Sequence, residues 1–194
     1  QVVLAQAQRK SVAETLPLVG SVLADEMVEV KSETDGMVQS VHFQEGQDVA
    51  AGALLVELDQ TKLAEALAEA QFNSNLSQAN FQRNQELFNE KLISQQEFDQ
   101  SSAILHVNQA AVNLRQRQLK DTRIVAPFAG VIGARNVSPG QVITKSSTLT
   151  WLVDLDPVKV EINVPERFLG QLQTGQSIQI TVAAFPGRTF TGQV

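Results

Sequence analysis

Few side chains in this sequence are of the kinds that make or break bonds. The 194 residues include no cysteine, two histidines and two methionines. His42 and His106 lie far apart, and neither has another His or a Cys at ligand spacing, so neither marks a metal site. Met27 and Met37 flank a turn-rich stretch and offer the soft sulfur donors that a copper-type ion would take, but two methionines alone read as core filler. Glu65 and Glu69 stand four apart, where a solvated helix face is the default for paired carboxylates. There is no nucleophile elbow, glycine-rich phosphate loop or His–carboxylate pair at helical spacing, so no catalytic residue, cofactor or metal is expected. Recognition chemistry is better represented. Arg83, Leu87 and Ser94 supply a guanidinium, one apolar side chain and a hydroxyl, which suit a reversible protein interface hydrogen-bonded around a single anchor. Taken alone, each has a plainer role: Arg83 solvated near Glu86, Leu87 in a helix seam, Ser94 an N-cap.

The elements that would position these three are two helices folded back on each other. Phe98, Leu105, Val112 and Leu119 recur every seven residues, and Leu67, Ser74, Phe81 and Phe88 keep the same step before them, which predicts one narrow seam per helix. The run from Thr61 to about Phe88 has no Gly or Pro and is rich in strong helix formers, giving a rod of roughly 40 Å at 1.5 Å per residue. Ser94-Gln95-Gln96-Glu97 has the S-x-x-E pattern of a capping box, so the return helix starts there. Asp59, just ahead of the first helix, is a plausible N-cap. Only the seam would be buried, which leaves the Gln, Asn and Ser of the other faces to water or to protein partners. The rod therefore reads as a projecting arm.

The segments flanking the arm are two copies of one motif. At an offset of 94 residues, Gly36 falls on Gly130, Gly46 on Gly140, Gln47 on Gln141, Leu55 on Leu149 and Leu58 on Leu152, without a gap. Val30, Val38, Phe43 and Val49 likewise meet Ile124, Ile132, Val137 and Ile143. Each copy reads as strands punctuated by glycine, whose tolerance of positive φ suits the turns, so Gly36, Gly46, Gly130 and Gly140 are expected at turns. Two halves of one small β-sandwich are predicted, closed on each other with the arm leaving from the gap between them.

Arg83, Leu87 and Ser94, followed through Ile93-Ser94-Gln95-Gln96-Glu97-Phe98-Asp99, are similar to the hairpin tip of a known family. Asp156-Pro157-Val158-Lys159-Val160, Val164-Pro165-Glu166-Arg167 and the stretch from Phe185 to Gly192 match it too, in the same order. The chain resembles the HlyD-like membrane fusion proteins, the periplasmic adaptors of tripartite efflux pumps, in their resistance-nodulation-division (RND) branch. The resemblance implies an α+β fold: elongated, with a split lipoyl-like β-sandwich, an inserted antiparallel α-helical hairpin and a partial β-barrel. The sandwich halves would be 28–59 and 122–153, the hairpin 60–121, and the barrel 1–27 with 154–194. It also implies that Arg83, Leu87 and Ser94 dock the arm onto a TolC-like outer-membrane channel, that the barrel faces an inner-membrane RND transporter, and that copies form a ring, a hexamer in the family. Efflux of drugs or other small molecules is the implied function; an adaptor of an ABC-type exporter or of type I secretion is the alternative. A lipoyl or biotinyl carrier would share the half-motifs, but it needs a lysine on the tight turn joining them. Here that junction is filled by helix, with Lys62 inside it.

Composition sets the outer limits. A net charge of −6 and a pI near 4.9, with no Lys/Arg cluster, leave nothing to bind a phosphate backbone, so nucleic acid is not an expected partner. No apolar run approaches the roughly 20 residues that span a bilayer, so this stretch is expected to be soluble. The resemblance implies a periplasmic protein anchored to the inner membrane, with an export signal before Gln1 and further barrel strands after Val194; absence of cysteine fits an oxidising compartment. Strands are expected over 1–7, in an extended stretch from Ser11 to Val22, over Val158–Val164 and Ser177–Val182, and from Thr189, with a short helix starting at Pro165.

Overall fold

The glycine-free run after Thr61 forms an unbroken helix. In the computed structural model, which describes residues 15–194, α1 covers Thr61–Asn89 and α2 covers Gln95–Lys120. The heptad positions meet as expected: Ser74, Leu105 and Val112 are buried, and the Phe98 ring stacks on Phe88 at 4.9 Å and tilts against Phe81 at 5.5 Å. Two further buried residues, Ser77 and Ser101, do not belong to the apolar pattern. Their small side chains let the helices approach, and their hydroxyls are satisfied locally: Ser77 Oγ donates to the Asn73 carbonyl at 2.9 Å, and Ser101 Oγ to the Phe98 carbonyl at 2.7 Å. Asn108 Nδ2 then donates across the seam to Ser77 Oγ at 3.0 Å, so the middle of the arm is pinned by a polar contact.

The strands follow in chain order. Strand β1 (Gly20–Leu23) belongs to a second unit described below; β2 (Glu26–Lys31), β3 (Gly36–Val41), β4 (Asp48–Val49) and β5 (Leu54–Leu58) precede α1. β6 (Arg123–Val125), β7 (Gly130–Ile132), β8 (Val142–Ile143) and β9 (Thr148–Asp154) follow α2. They make two four-stranded sheets, ordered β2-β9-β7-β4 and β6-β5-β3-β8. Shifting every strand by 94 residues turns one order into the other. The halves do close on each other, and they do so by exchange: each sheet holds two strands from each half. The loop hydrogen bonds are duplicated in the same way. Across the halves, Gly46 N–H donates to the Ile132 carbonyl and Gly140 N–H to the Val38 carbonyl, both at 2.8 Å; within each half, His42 N–H donates to the Leu55 carbonyl and Asn136 N–H to the Leu149 carbonyl, both at 2.9 Å.

The repeat exists because both copies must bury the same face. Val30, Val38, Phe43, Leu55 and Leu58 are buried, and so are their counterparts Ile124, Ile132, Val137, Leu149 and Leu152. Each such side chain contributes on the order of 1.5–3 kcal/mol relative to an exposed one. The arm leaves this core where its two ends are clamped together, with Leu58 N–H donating to the Thr122 carbonyl at 2.9 Å.

The chain divides into two compact units, Ala24–Val158 and a second made of the residues up to Leu23 with Lys159–Val194. Within the second unit, β1 pairs antiparallel with β10 (Lys159–Ile162), and β11 (Ser177–Thr181) pairs antiparallel with β12 (Thr189–Gln193). The alternating patterns read from the sequence are these strands. The short helix after Pro165 is a 3-10 helix, Glu166–Gln171, with Pro165 as its N-cap. The strand expected over 1–7 and the first part of the extended stretch from Ser11 lie outside the described residues.

Candidate functional site

The hairpin tip is built from two helix ends. At the end of α1, Lys91 N–H donates to the Phe88 carbonyl at 2.9 Å and Leu92 N–H to the Leu87 carbonyl at 2.8 Å, the paired bonds of a Schellman motif. That motif needs a left-handed residue, and Lys91 supplies it at φ 61 where glycine would be usual. At the start of α2, Ser94 forms the capping box: its Oγ accepts from Glu97 N–H at 3.3 Å, and its own N–H donates to Glu97 Oε2 at 2.8 Å. The Ser94 backbone and hydroxyl bonds hold the Glu97 carboxyl below its usual 4.5.

The structure places the three candidate docking residues along this end. Arg83 is exposed on α1, Leu87 is half-buried and its carbonyl takes part in the α1 stop, and Ser94 is exposed while capping α2. Beside them an open groove of about 330 Å³ runs between the helices, lined by Asn80, Asn84, Glu97, Gln100 and Ile104. Sequence reading missed this groove. Its signal was the i, i+4 spacing of Asn80 and Asn84 next to the capping box. A polar, open cleft with a rigid cap at one end can hydrogen-bond a protein surface; it has no enclosed apolar chamber for a small ligand.

The remaining candidates do not converge. Met27 on β2 lies opposite Val153, and Met37 on β3 lies opposite Val142, in different sheets. Among the described residues no cluster of three His, Cys, Asp or Glu forms. His42 Nε2 lies 2.8 Å from Ser40 Oγ and 3.7 Å from Glu57 Oε2. One ring nitrogen faces both groups, so the imidazole cannot relay a proton from serine to carboxylate. Trp151 on β9 stands across from Glu29, over Gly133.

Among the punctuating glycines, Gly46 at φ +78 and Gly140 at φ +84 occupy left-handed turn positions. Gly36 and Gly130 do not. They open β3 and β7, and crowding explains them instead: a Cβ on Gly130 would sit 2.5 Å from the Val153 carbonyl oxygen, and one on Gly36 would press Leu58 at 3.1 Å. Asp59 also differs from expectation. The N-cap of α1 is Gln60, and Asp59, one residue earlier, accepts from Thr61 N–H at 3.0 Å and Thr61 Oγ1 at 2.7 Å. The Thr61 backbone bond lowers the Asp59 carboxyl below its usual range.

This sandwich, split by a two-helix arm, can be compared with known proteins. A family model described as RND MFP, barrel-sandwich hybrid domain, matches residues 26–155. The chain belongs to the RND membrane fusion protein family. A second model, the CusB-like β-barrel domain, matches residues 157–194. Among relatives of this membrane fusion protein, multidrug resistance protein MdtA of Klebsiella pneumoniae is 34% identical over 188 residues, covering 89% of this chain and 46% of that protein. MdtA of Photorhabdus laumondii is 34% identical over 189 residues, covering 89% and 47%. The chain thus spans about half the length of the curated relatives it matches. A crystal structure of a putative efflux transporter from Bacteroides eggerthii superposes with a TM-score of 0.78 at 25% identity, over 89% of this chain and 53% of that one. A MacA–MexA chimera carrying the Pseudomonas aeruginosa MexA α-hairpin domain superposes at 0.82 with 24% identity, over 90% and 64%, and shares the fold.

Proposed function

We propose that this chain is the working part of a periplasmic adaptor that links an inner-membrane RND transporter to a TolC-like outer-membrane channel for the efflux of drugs or other small molecules. Residues 60–121 form the arm that reaches the channel, 28–59 with 122–153 the sandwich, and 1–27 with 154–194 the barrel that faces the pump. Copies assemble into a ring, a hexamer by family resemblance, held at the inner membrane. The adaptor makes and breaks no bonds; it acts by holding other proteins in register. The observation that carries this reading is the capped two-helix arm inserted into a sandwich that matches the RND membrane fusion family. Arg83, Leu87 and Ser94 at the tip supply the channel contact, an apolar anchor between two hydrogen-bonding groups.

The test is complementation of a strain lacking this adaptor, read as retained fluorescent efflux substrate. Arg83→Glu and Leu87→Asp should raise retention toward that of the deletion strain at unchanged protein level. Ser94→Asp preserves the cap, because aspartate is an equally good N-cap, yet alters the outward contact. Wild-type export by the triple variant would remove the tip from the mechanism.

A further inference from the structure

The Glu57 carboxylate ties the body to both ends of the arm. Its Oε1 accepts from Gln60 Nε2 at 3.1 Å and faces Arg123 Nε at 4.0 Å. Gln60 is the N-cap of α1, and its side chain makes no capping bond to the helix. Arg123 opens β6, just after α2 ends. Oε2 points the other way: it lies 3.7 Å from His42 Nε2, which also lies 2.8 Å from Ser40 Oγ. Ser40, Glu57 and Arg123 are register partners across β3, β5 and β6, so the cluster forms a row across the sheet that holds both arm ends. The duplication supplies a comparison for this row. In the matching sheet, from which no arm leaves, the counterparts of His42, Glu57 and Arg123 are Asn136, Trp151 and Glu29. The sandwich therefore closes without an imidazole or a carboxylate–guanidinium pair at these places, and the charged row belongs with the arm.

Carboxylates, lysine and arginine keep their charge between about pH 5 and 8, whereas imidazole gains a proton there. The charged groups around His42 are Glu57 beside it on β5, Arg123 beyond that on β6, Asp121 where the arm ends, and Asp59 with Lys62 where it begins, Asp59 being bonded to Thr61. A proton on the ring makes both nitrogens donors, so Nε2 no longer accepts from the Ser40 hydroxyl and turns to the acceptors in front of it, Ser40 Oγ and Glu57 Oε2. We propose that His42 is a proton-operated latch on the root of the arm. Charged, it grips Glu57 Oε2 while Glu57 Oε1 holds Gln60 and Arg123, and the first turn of α1 is fastened to the body; neutral, it lets go and that turn opens more often. A pair that exists only with the imidazole charged is present in acid and is lost as pH rises. Both partners are partly exposed, so solvent screening limits the effect to about threefold. The latch needs no other protein and acts whatever the arm binds.

The amide of Ala64, which donates to the Gln60 carbonyl at 2.8 Å, reports on the first turn of α1. Native-state hydrogen exchange, corrected for the intrinsic effect of pH, should give it about threefold greater protection at about pH 5.5 than at about pH 8. The amide of Asn136, which donates to the Leu149 carbonyl at the place matching His42, should show no such difference and serves as the reference for an intact body. His42→Asn installs the residue that the opposite half already carries, so the fold accepts it there. With His42→Asn, or with Glu57→Gln, the Ala64 ratio should fall to about one while Asn136 keeps its protection. Equal Ala64 protection at both pH values in the wild type overturns the latch, and so does a pH response shared by Ala64 and Asn136. A response that survives His42→Asn assigns the titration to another group and overturns it as well. One that survives Glu57→Gln but not His42→Asn overturns Glu57 as the partner.

Discussion

Ser94 and Glu97 satisfy each other's backbone at the point where the chain turns, and no other residue substitutes for them there. Ser94→Ala should lower the stability of the unit by about 1 kcal/mol, measured by urea denaturation, because an orphan helix N–H loses its acceptor. Acid should act on the same spot. Glu97 is held below its usual 4.5, so its contribution is present above that pH and is lost as pH falls through the lowered folded value; the stability lost on acidification, read from urea denaturation, should therefore be smaller in Ser94→Ala than in the wild type. A second residue has kept a turn without keeping its glycine. Ser146 has φ 73 where its counterpart Gly52 has φ 78, and each donates its N–H across to the opposite half, to Ser32 and Ala126 at 2.8 Å. Ser146→Gly relieves the left-handed strain and should stabilise by up to about 1 kcal/mol, seen as a raised thermal midpoint.

The hairpin was readable from its seven-residue repeat and its capping box because both are local signals. The polar pin was not, since Ser77 and Asn108 look like solvated residues until the register of two separate helices is known. Asn108→Ala should cost about 1 kcal/mol in chemical denaturation, and Ser77→Ala in the same background should add little, since the two share one bond. Turns show the same boundary between legible and hidden. The Gly-Gln pairs at Gly46 and Gly140 were visible as a repeat. In both, the glutamine Oε1 folds back at 3.0 Å onto the N–H three residues earlier, that of Gln44 or Ser138. A third copy at Thr174-Gly175-Gln176 in the other unit repeats the bond at 3.2 Å from Gln173 N–H, with Gly175 at φ +85. It escaped notice because it lies outside the 94-residue register. Gly36 and Gly130 were found for the wrong reason, as crowding at a neighbouring strand leaves no trace in a single sequence.

For the whole unit, the duplication predicts equal sensitivity on both sides of the arm. Leu55 and Leu149 are 1% and 0% exposed and occupy matching places in the two sheets. Leu55→Ala and Leu149→Ala should each cost about 2–5 kcal/mol and agree with each other more closely than with other core truncations. Strand exchange between halves was not legible, because an offset comparison reveals that two segments are alike without revealing which pairs with which. The clamp between Leu58 and Thr122 has a consequence for evolution. Since the body closes the mouth of the hairpin by itself, length added beyond that mouth leaves the core untouched. Inserting seven residues in each helix keeps the seam in phase and moves the tip outward by about 10 Å. Arm length is then a tunable trait, free to drift without cost to the core.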